Sequence, residues 1–492
     1  MNKFYITTTL PYVNAKPHIG HILEFIQADV VARYHKLLGE EVIFNIGTDE
    51  HGQKVYQKAI ENNKTPQEYV DAMAEVFKAV KKDFNISYTN FIRTTDPHHI
   101  EAAQKFWKLC SDNDDIYKKN YKVKYCVGCE LEKTDSELEN GCCPLHPNLK
   151  LEDRDEENYL FKFSKYEKPL LKFYEENPEF VLPAGRQKEI SGFVESGLTD
   201  FSISRLKAKM PWGVPVPGDE EHVMYVWFDA LINYISTLGW PENEQNFKDF
   251  WPGLQIAGKD NLRQQSAMWQ AMLMSAGLPN SKQVLIHGFV TSDGQKMSKT
   301  VGNIVDPFVV AEKYGIDPLR YYLLRELPSD EDGDFSDKKL EERYNGDLAN
   351  NLGNLVSRVS KLIETKLEGR LVYEVQFLEK DAVEKIKEST EKTNLFINRF
   401  KLHEALGSIW ELLTYANQYI DENKPWASDA LPEHILKTLT TAVEIIFAST
   451  KLFEPFLPET AQKVYEIFGR TKNQDDNVFQ VIKTESLFPR LK

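Results

Sequence analysis

Two histidines three positions apart stand where the sequence predicts the start of a helix. His18 and His21 flank Gly20 in the run Pro17-His18-Ile19-Gly20-His21, and this spacing places both imidazoles on one helix face. Exposed backbone amides and the positive end of the helix dipole favour a phosphate at such a terminus. We therefore expect His18, Gly20 and His21 to contact the phosphates of a ligand.

Two lysines form a second group of candidate phosphate-binding residues, about 280 residues further along the chain. The run Lys296-Met297-Ser298-Lys299-Thr300 lies in a glycine-containing loop after the strand-like segment 284–287. Ammonium and hydroxyl groups beside a loop suit a polyphosphate that gathers negative charge during a displacement at phosphorus. We predict that Lys296, Ser298 and Lys299 bind such a polyphosphate.

Cysteines and a histidine with metal-ligand spacing occur between these two groups. Cys126 and Cys129 form a Cys-x-x-Cys pair, and after thirteen intervening residues Cys143 and His146 form a Cys-x-x-His pair. Three thiolates and one imidazole make a closed tetrahedral set, which predicts one structural Zn²⁺ per chain rather than a catalytic metal. Cys142 is an alternative to Cys143, but only Cys143 gives the two-residue spacing to His146.

The elements that must position these residues begin with a strand–helix–strand unit. Residues 4–10 are β-branched and aromatic, residues 19–38 carry apolar side chains at helical spacing, and residues 42–47 form a second apolar run. Asp49 follows the second strand at its carboxyl end, where open α/β sheets bind their ligands. The same alternation returns after residue 220, so we predict a doubly wound, Rossmann-like parallel sheet of the α/β class.

The sequence divides into four predicted segments. Residues 1–114 and 221–330 form the two halves of the Rossmann-like catalytic domain, and residues 115–220 form an inserted connective domain whose zinc knuckle spans 126–146. Residues 331–492 contain long amphipathic patterns with short connections, which predict an all-α helical bundle.

Composition narrows the class of protein. The chain has 492 residues and a formal net charge of −15, which argues against bulk electrostatic binding of nucleic acid but leaves room for a local RNA-binding face. No apolar run approaches the ~20 residues of a membrane span, and Lys3 precedes a strand pattern rather than a signal peptide. We expect a cytoplasmic protein with no membrane partner.

Together, the HIGH-type motif at His18–His21 and the KMSK-type motif at Lys296–Thr300 resemble the class I aminoacyl-tRNA synthetases. Three further runs, Thr9–Tyr12, Gly47–Gly52 and Tyr225–Ala230, and the single zinc knuckle are similar to the methionyl-tRNA synthetases. The resemblance covers nearly the whole chain. It implies activation of L-methionine with ATP and Mg²⁺ to methionyl-adenylate and pyrophosphate, followed by transfer of methionyl to the 3′ end of tRNA(Met).

The resemblance also implies roles for individual residues. His18, His21, Lys296 and Lys299 would be catalytic through the ATP phosphates. The Leu10 backbone and Asp49 would hold the substrate ammonium. The walls of the thioether pocket would be Tyr12, Trp227, Ala230 and Tyr234, because aromatic rings contact a polarizable sulfur favourably.

Several positions depart from the family pattern. Gln265 stands where the family usually has a histidine, and Asn261 where an isoleucine is common. Leu231 replaces a proline of some relatives, and Thr300 replaces a serine while keeping the hydroxyl. Because no phosphate-handling group is lost, the resemblance still implies adenylation, with Gln265 contributing to an altered pocket floor.

The helical tail resembles the family's anticodon-binding domain. Asn354 and Arg358 lie four apart on one predicted helix face, and Trp426 follows Asn423-Lys424-Pro425. These residues match the positions that read an unpaired anticodon by stacking and by base-edge contacts. The family's dimerising carboxy-terminal module does not follow the bundle, so we expect a monomer.

Two alternative functions stay open from the sequence. The first is a class I synthetase for leucine, valine, isoleucine or cysteine. About 105 residues between the sheet halves leave little room for the editing domain of the first three, and a four-coordinate knuckle differs from a zinc that holds a substrate thiol. The second is a catalytically silent tRNA-binding paralogue, against which the four phosphate-handling residues argue.

Overall fold

The structure is a computed structural model that describes residues 2–128, 131–133, 138–144, 147–292, 294–297, 303–469, 478–482 and 486–491. Its strands are β1 (Lys3–Thr8), β2 (Glu41–Thr48), β3 (Asn90–Arg93), β4 (Ile116–Cys126), β5 (Leu131–Lys133), β6 (Glu152–Phe161), β7 (Val181–Leu182), β8 (Phe201–Ser202), β9 (Ser204–Leu206), β10 (Pro215–Val216), β11 (Asp219–Met224), β12 (Leu254–Gly258), β13 (Gln283–His287), β14 (Val290–Ser292), β15 (Gln295–Lys296), β16 (Gly333–Phe335), β17 (Arg370–Val372) and β18 (Val478–Gln480).

The α-helices are α1 (Ile19–Leu37), α2 (Gln53–Glu61), α3 (Pro66–Asp83), α4 (Pro97–Asp112), α5 (Glu167–Glu176), α6 (Ala184–Glu195), α7 (Val226–Ala230), α8 (Asn233–Ser236), α9 (Glu244–Phe250), α10 (Trp269–Ser275), α11 (Pro307–Tyr314), α12 (Ile316–Arg325), α13 (Asp337–Arg343), α14 (Asn354–Lys366), α15 (Lys380–Asn398), α16 (Leu402–Asn423), α17 (Pro432–Phe453) and α18 (Pro458–Ile467). Gln264–Met268 and Tyr344–Gly353 are π-helical, and Phe163–Tyr166, Lys259–Asn261 and Val375–Phe377 are 3₁₀ turns.

The chain forms two compact units that interleave along the sequence. The first contains Met1–Pro17, Glu40–Val80 and Tyr88–Ile286, and the second contains His18–Gly39, Lys81–Ser87 and His287–Lys492. The helix that starts beside His18 therefore belongs to the same unit as the carboxy-terminal helices, although the strands before and after it in the chain belong to the other unit.

The principal sheet of the first unit has the strand order β3-β2-β1-β12-β13-β7. The pairs β3–β2, β2–β1, β1–β12 and β13–β7 are parallel. The chain adds β2 and β3 on one side of β1 and later places β12 and β13 on the other, so the strand order reverses beside β1, where sheets of this kind bind ligands. The predicted α/β class with a parallel sheet is confirmed.

The remaining sheets of the first unit are antiparallel. Strands β5-β4-β6-β8 form one sheet and β10-β11-β9 another, and β4 pairs with β6 over the ten-residue register from Ile116–Phe161 to Tyr125–Glu152. This long ladder lies inside the segment 115–220. The same segment also supplies β7, the edge strand of the principal sheet.

The second unit is mainly helical. Helices α11 to α18 follow one another with short connections, and the buried sides of α16 and α17 carry leucine, isoleucine and phenylalanine at helical spacing. The predicted helical carboxy-terminal region is thereby confirmed. Within the described ranges, none of the helices combines the length and the apolarity that crossing a bilayer requires.

Candidate active site

The two histidines of the first motif cap helix α1 reciprocally. His18 is the N-cap residue, and its Nδ1 accepts from the backbone N–H of Gly20 (3.2 Å) and of His21 (3.4 Å). In return, Nδ1 of His21 accepts from the backbone N–H of His18 (3.3 Å). The two rings stack with their centroids 3.7 Å apart. A Cβ at Gly20 would lie 3.1 Å from Cε1 of His18, so the glycine leaves room for this stack.

This geometry fixes the chemistry that the two rings can offer. A ring nitrogen that accepts from a backbone amide carries no proton, so each neutral imidazole is protonated at Nε2. Partial burial and the neighbouring rings of His18 and His287 hold the pKa of His21 well below its ordinary value. The start of α1 therefore presents neutral ring N–H donors at the positive end of the helix dipole.

A buried ion cluster fixes helix α1 within the second unit. Nη2 of Arg320 donates to Oδ2 of Asp29 (2.7 Å), and both side chains are fully buried. Oδ2 also accepts from Nε of Arg33 (2.7 Å), while Oδ1 accepts from the backbone N–H and the hydroxyl of Ser87 (2.7 and 2.6 Å). Burial alone would raise the pKa of Asp29, but Arg320, Arg33 and Ser87 together hold it below its ordinary value.

A second polar contact of α1 within the second unit is made by Glu24 and His287. Oε2 of Glu24 lies 3.0 Å from Nε2 of His287, and Nδ1 of His287 lies 2.8 Å from the carbonyl oxygen of Gly288. Both ring nitrogens of His287 thus face acceptors. Glu24 and His287 were not predicted as site residues, although Glu24 is an acidic residue about one helical turn after the His18–His21 pair.

The base of the lysine loop is a small hairpin in the second unit. Strands β14 and β15 pair antiparallel, and β14 pairs parallel with β16. Oδ1 of Asp334 accepts from the hydroxyl of Thr291 and the backbone N–H of Gly294, both at 2.7 Å. The side chain of Lys296 and all of Ser298, Lys299 and Thr300 lie outside the described residues, so their roles stay predictions.

In the first unit, the backbone brings together three of the predicted methionine-binding residues. Tyr12 and Asp49 form an isolated parallel bridge. The N–H of Asp49 donates to the carbonyl of Pro11 (2.9 Å), and the N–H of Val13 donates to the carbonyl of Asp49 (3.2 Å). Leu10 and Asp49 are both buried. These residues continue β1 and β2 beyond their carboxyl ends, where the sheet topology predicts a ligand.

Another pair of predicted pocket residues is joined by a hydrogen bond. Nε2 of Gln265 donates to the hydroxyl oxygen of Tyr234 at 2.5 Å, and Oε1 of Gln265 accepts from Nε2 of Gln255 at 3.3 Å. Tyr234 is further held by its carbonyl, which accepts from the hydroxyl of Tyr5 (2.8 Å). Gln265 therefore keeps a polar contact to the tyrosine at the position where the family usually has histidine.

The short helix α7 carries Trp227, which is partly buried, and Ala230, which is buried. Between them Asp229 is fully buried, with Oδ2 lying 2.6 Å from Nδ1 of His51 and Oδ1 lying 2.9 Å from Nε2 of His99. Burial alone would raise the pKa of Asp229, but the two histidines outweigh it and lower that pKa to about 2. His51 was predicted only to lie near a ligand, at the carboxyl end of the second strand, and neither Asp229 nor His99 was predicted as a site residue.

The loop between β2 and α2 is anchored on either side of Asp49. The buried carboxylate of Glu50 accepts from Nε and Nη2 of Arg93 (2.8 and 2.9 Å) and from the hydroxyl of Thr48 (2.6 Å). The indole N–H of Trp212 donates to the carbonyl of Glu50 (2.7 Å). Because its neighbours are held in this way, Asp49 occupies a fixed position.

Two of the predicted zinc ligands lie within the described residues. Cys126 and Cys143 are buried, and Cys142 is partly buried in a tight turn where its N–H and carbonyl exchange hydrogen bonds with Glu139. Cys129 and His146 lie outside the described ranges. Within those ranges the structure has no cluster of three or more metal-ligating side chains.

The predicted anticodon residues lie on one side of the helical region. Asn354 and Arg358 are on α14, and the guanidinium of Arg358 lies 5.5 Å from the centroid of the Trp426 ring. Arg358 also forms an ion pair with Asp421 (2.6 Å). Trp426 is 44% exposed, so the residue is not enclosed in the core of the helical region.

Comparison with known proteins identifies relatives of the whole chain. The family model described as tRNA synthetases class I (M) matches residues 4–153 and 137–360, and the anticodon-binding domain of tRNA ligase matches residues 379–487. The methionine–tRNA ligase of Thermotoga maritima is 42% identical over 94% of this chain and 75% of its own length. That of Brucella suis is 41% identical over 95% of this chain and 92% of its own.

A solved structure also matches over the full length of this chain. Mycobacterium tuberculosis methionyl-tRNA synthetase in complex with methionyl-adenylate superposes with a TM-score of 0.94 at 36% identity, covering 100% of both chains. Its apo form superposes with a TM-score of 0.88 at 33% identity.

Proposed function

The chain belongs to the class I methionyl-tRNA synthetases, and on this basis we propose a role for each candidate residue in methionine–tRNA ligation. It is an ATP-dependent ligase that converts L-methionine to methionyl-adenylate and then transfers methionyl to tRNA(Met). The observation that best supports the assignment of roles is the reciprocal histidine cap of α1, because it turns a helix start into a set of neutral donors for phosphate.

In the first step, a carboxylate oxygen of methionine attacks the α-phosphorus of ATP and pyrophosphate leaves. His18, Gly20 and His21 bind ATP phosphates, His18 and His21 through the Nε2–H groups that their mutual cap exposes. Lys296, Ser298 and Lys299 bind the departing pyrophosphate, whose charge Mg²⁺ also neutralises. Such a reaction needs alignment and charge stabilisation more than covalent chemistry by the protein.

Methionine binds through its two ends. Asp49 and the Leu10 backbone hold the α-ammonium group, which a buried carboxylate in a fixed loop suits. Tyr12, Trp227, Ala230 and Tyr234 surround the thioether. Gln265 completes this pocket through its hydrogen bond to Tyr234, so the tyrosine keeps its orientation without the family's histidine.

Cys126, Cys129, Cys143 and His146 would hold a structural Zn²⁺. Cys126, at the end of β4, and Cys143 are both buried, as thiolate ligands of a closed metal site would be. When bound, the metal would stabilise the fold of this segment and leave no position open for a reactant.

The four segments 1–114, 115–220, 221–330 and 331–492 then serve as first catalytic half, connective domain, second catalytic half and anticodon-binding domain. In the last, Trp426 stacks on an unpaired base of the anticodon while Asn354 and Arg358 contact base edges; the exposed indole beside a guanidinium supports this role. We place the enzyme in the cytoplasm as a monomer.

Amino-acid-dependent ATP–pyrophosphate exchange tests the assignment of the phosphate-binding residues. We expect exchange with methionine alone among the twenty amino acids. Lys299→Ala should lower the exchange rate by orders of magnitude with methionine affinity little changed, whereas Lys361→Ala, on the exposed side of α14, should match wild type. Near-normal exchange by Lys299→Ala would refute the phosphate role of the lysine loop.

A further inference from the structure

Asp229 has a buried carboxylate whose two oxygen atoms each contact a different histidine. Nδ1 of His51 lies 2.6 Å from Oδ2, and Nε2 of His99 lies 2.9 Å from Oδ1. Asp229 and His99 are completely buried and His51 is 4% exposed. The hydroxyl of Ser236 lies 2.9 Å from Nδ1 of His99 and so orients that ring from its other side.

The three residues of this triad come from three separate elements of the first unit. His51 lies in the loop after β2, two residues beyond Asp49. Asp229 lies on α7, between Trp227 and Ala230. His99 lies on α4, which contributes no residue to the proposed methionine site. The triad therefore links the loop that carries the ammonium ligand to the helix that carries two walls of the thioether pocket.

We infer that His51, His99 and Asp229 are positioning residues for methionine, which set the distance between the ammonium site and the thioether pocket. The inference rests on the proposed roles of Asp49, Trp227 and Ala230. The triad residues need not touch the substrate; they act by fixing the elements that do.

The local structure explains why this part of the pocket needs such a link. Helix α7 has only five residues, and an isolated helix of that length has no stability of its own. The loop after β2, in contrast, is held by the contacts of Glu50 with Arg93 and Thr48. The hydrogen bonds of Asp229 thus attach the short helix α7 to the firmly held loop after β2. Because hydrogen bonds are directional, they fix the position of α7 along its axis, whereas apolar packing alone would allow it to shift.

The different ring atoms used by the two histidines allow a crossed experiment. His99 uses Nε2, whose position the amide nitrogen of glutamine can reach but that of asparagine cannot. His51 uses Nδ1, for which asparagine is the closer match. His99→Gln and His51→Asn should therefore keep the bond to Asp229, whereas His99→Asn and His51→Gln should lose it.

Methionine KM in ATP–pyrophosphate exchange is the decisive readout. We expect His99→Asn and His51→Gln to raise methionine KM by about 10- to 100-fold, the loss of binding expected when a hydrogen bond to a charged group no longer holds the pocket in place. Their kcat and ATP KM should stay within about threefold of wild type. His99→Gln and His51→Asn should keep all three constants within about threefold, and circular dichroism with thermal midpoints would establish that each variant is folded.

Other outcomes would overturn the inference. If asparagine and glutamine at the same position raise methionine KM equally, or if kcat and ATP KM change together with it, the triad has only a structural role. Should His99→Asn fail to fold, the two His51 variants decide alone. Loss of methionine-dependent exchange in the wild-type enzyme would instead refute the proposed function, and the inference with it.

Discussion

Replacing Arg320 with methionine should destabilise the second compact unit strongly, although Arg320 lies in none of the sequence motifs. Its guanidinium is completely buried and donates to Asp29 (2.7 Å) and to the carbonyl oxygens of Phe456 (2.8 Å) and Pro455 (3.2 Å). The substitution removes the strongest partner of a buried carboxylate on α1. It also leaves four carbonyl oxygens with one donor fewer each, because Arg320 donates to those of Phe84 (3.3 Å) and Asn85 (3.4 Å) as well.

The size of the effect follows from what remains around Asp29. Removing one member of a buried ion pair costs about 3–5 kcal/mol, because the other charge is left in a medium of low polarity. Arg33 and Ser87 still donate to Asp29 in the variant, so we expect a value near the lower limit, about 3 kcal/mol. Lys361→Met breaks an exposed pair with Glu364 on α14 and should leave the unfolding midpoint unchanged.

Urea unfolding combined with hydrogen exchange of peptides from α1 would measure the change. Because a chain of this size can unfold in steps, the exchange of α1 reports the relevant unit directly. In the double variant Asp29→Asn with Arg320→Met, the loss should be smaller than the sum of the two single losses by about 1–3 kcal/mol. Strict additivity, or an Arg320→Met variant as stable as Lys361→Met, would refute the importance of the cluster.

Three further predictions concern the other polar sites. The pKa of Asp229 is about 2 in the folded protein against an ordinary 3.8. The ionised carboxylate therefore contributes about 2 kcal/mol to the free energy of unfolding above pH 4, and this contribution is lost as the pH falls from about 4 to 2. In urea unfolding measured at each pH, Asp229→Asn should show a smaller decrease of the unfolding midpoint over this range than wild type. Gln265→His should retain methionine-dependent exchange but change the pH dependence of methionine KM relative to wild type between about 5.5 and 7.5, because an imidazole titrates there and an amide does not; parallel pH profiles of the two proteins would contradict the proposed contact. Trp426→Ala should spare exchange and raise tRNA KM about 5- to 100-fold in aminoacylation assays, as expected for loss of a base stack on an exposed indole; equal loss in both assays would indicate misfolding instead.

Elements with strong local patterns were predictable to within a few residues. The apolar spacing of residues 19–38 predicts a helix that the structure places at Ile19–Leu37, and the two flanking apolar runs become β1 and β2. Strand β7 was not predictable, because two residues carry no periodicity and their pairing with β13 depends on tertiary context. Helix α10 directly follows the π-helical turn Gln264–Met268, a change of winding that was not predicted from the sequence.

The candidate site was predictable where its residues form motifs, and unpredictable where they act as distant partners. His18, Asp49 and Trp227 stand in short runs of recognisable chemistry, and they lie on described elements of the fold. His99 and Asp229 are 130 residues apart, and Asp29 and Arg320 are 291 apart. For such pairs the sequence shows only a charged residue within an apolar run. It does not indicate which distant residue will form the ion pair or hydrogen bond with that charge.

The interleaving of the two units has a consequence for synthesis of the protein. Helix α1 leaves the ribosome among the first elements, but Arg320, which neutralises its Asp29, follows 291 residues later. At about 5–20 residues per second, this interval is about 15–60 s. During that time the buried side of α1 lacks Arg320 and the rest of α12, which makes the nascent chain a substrate for chaperones that bind unfinished chains.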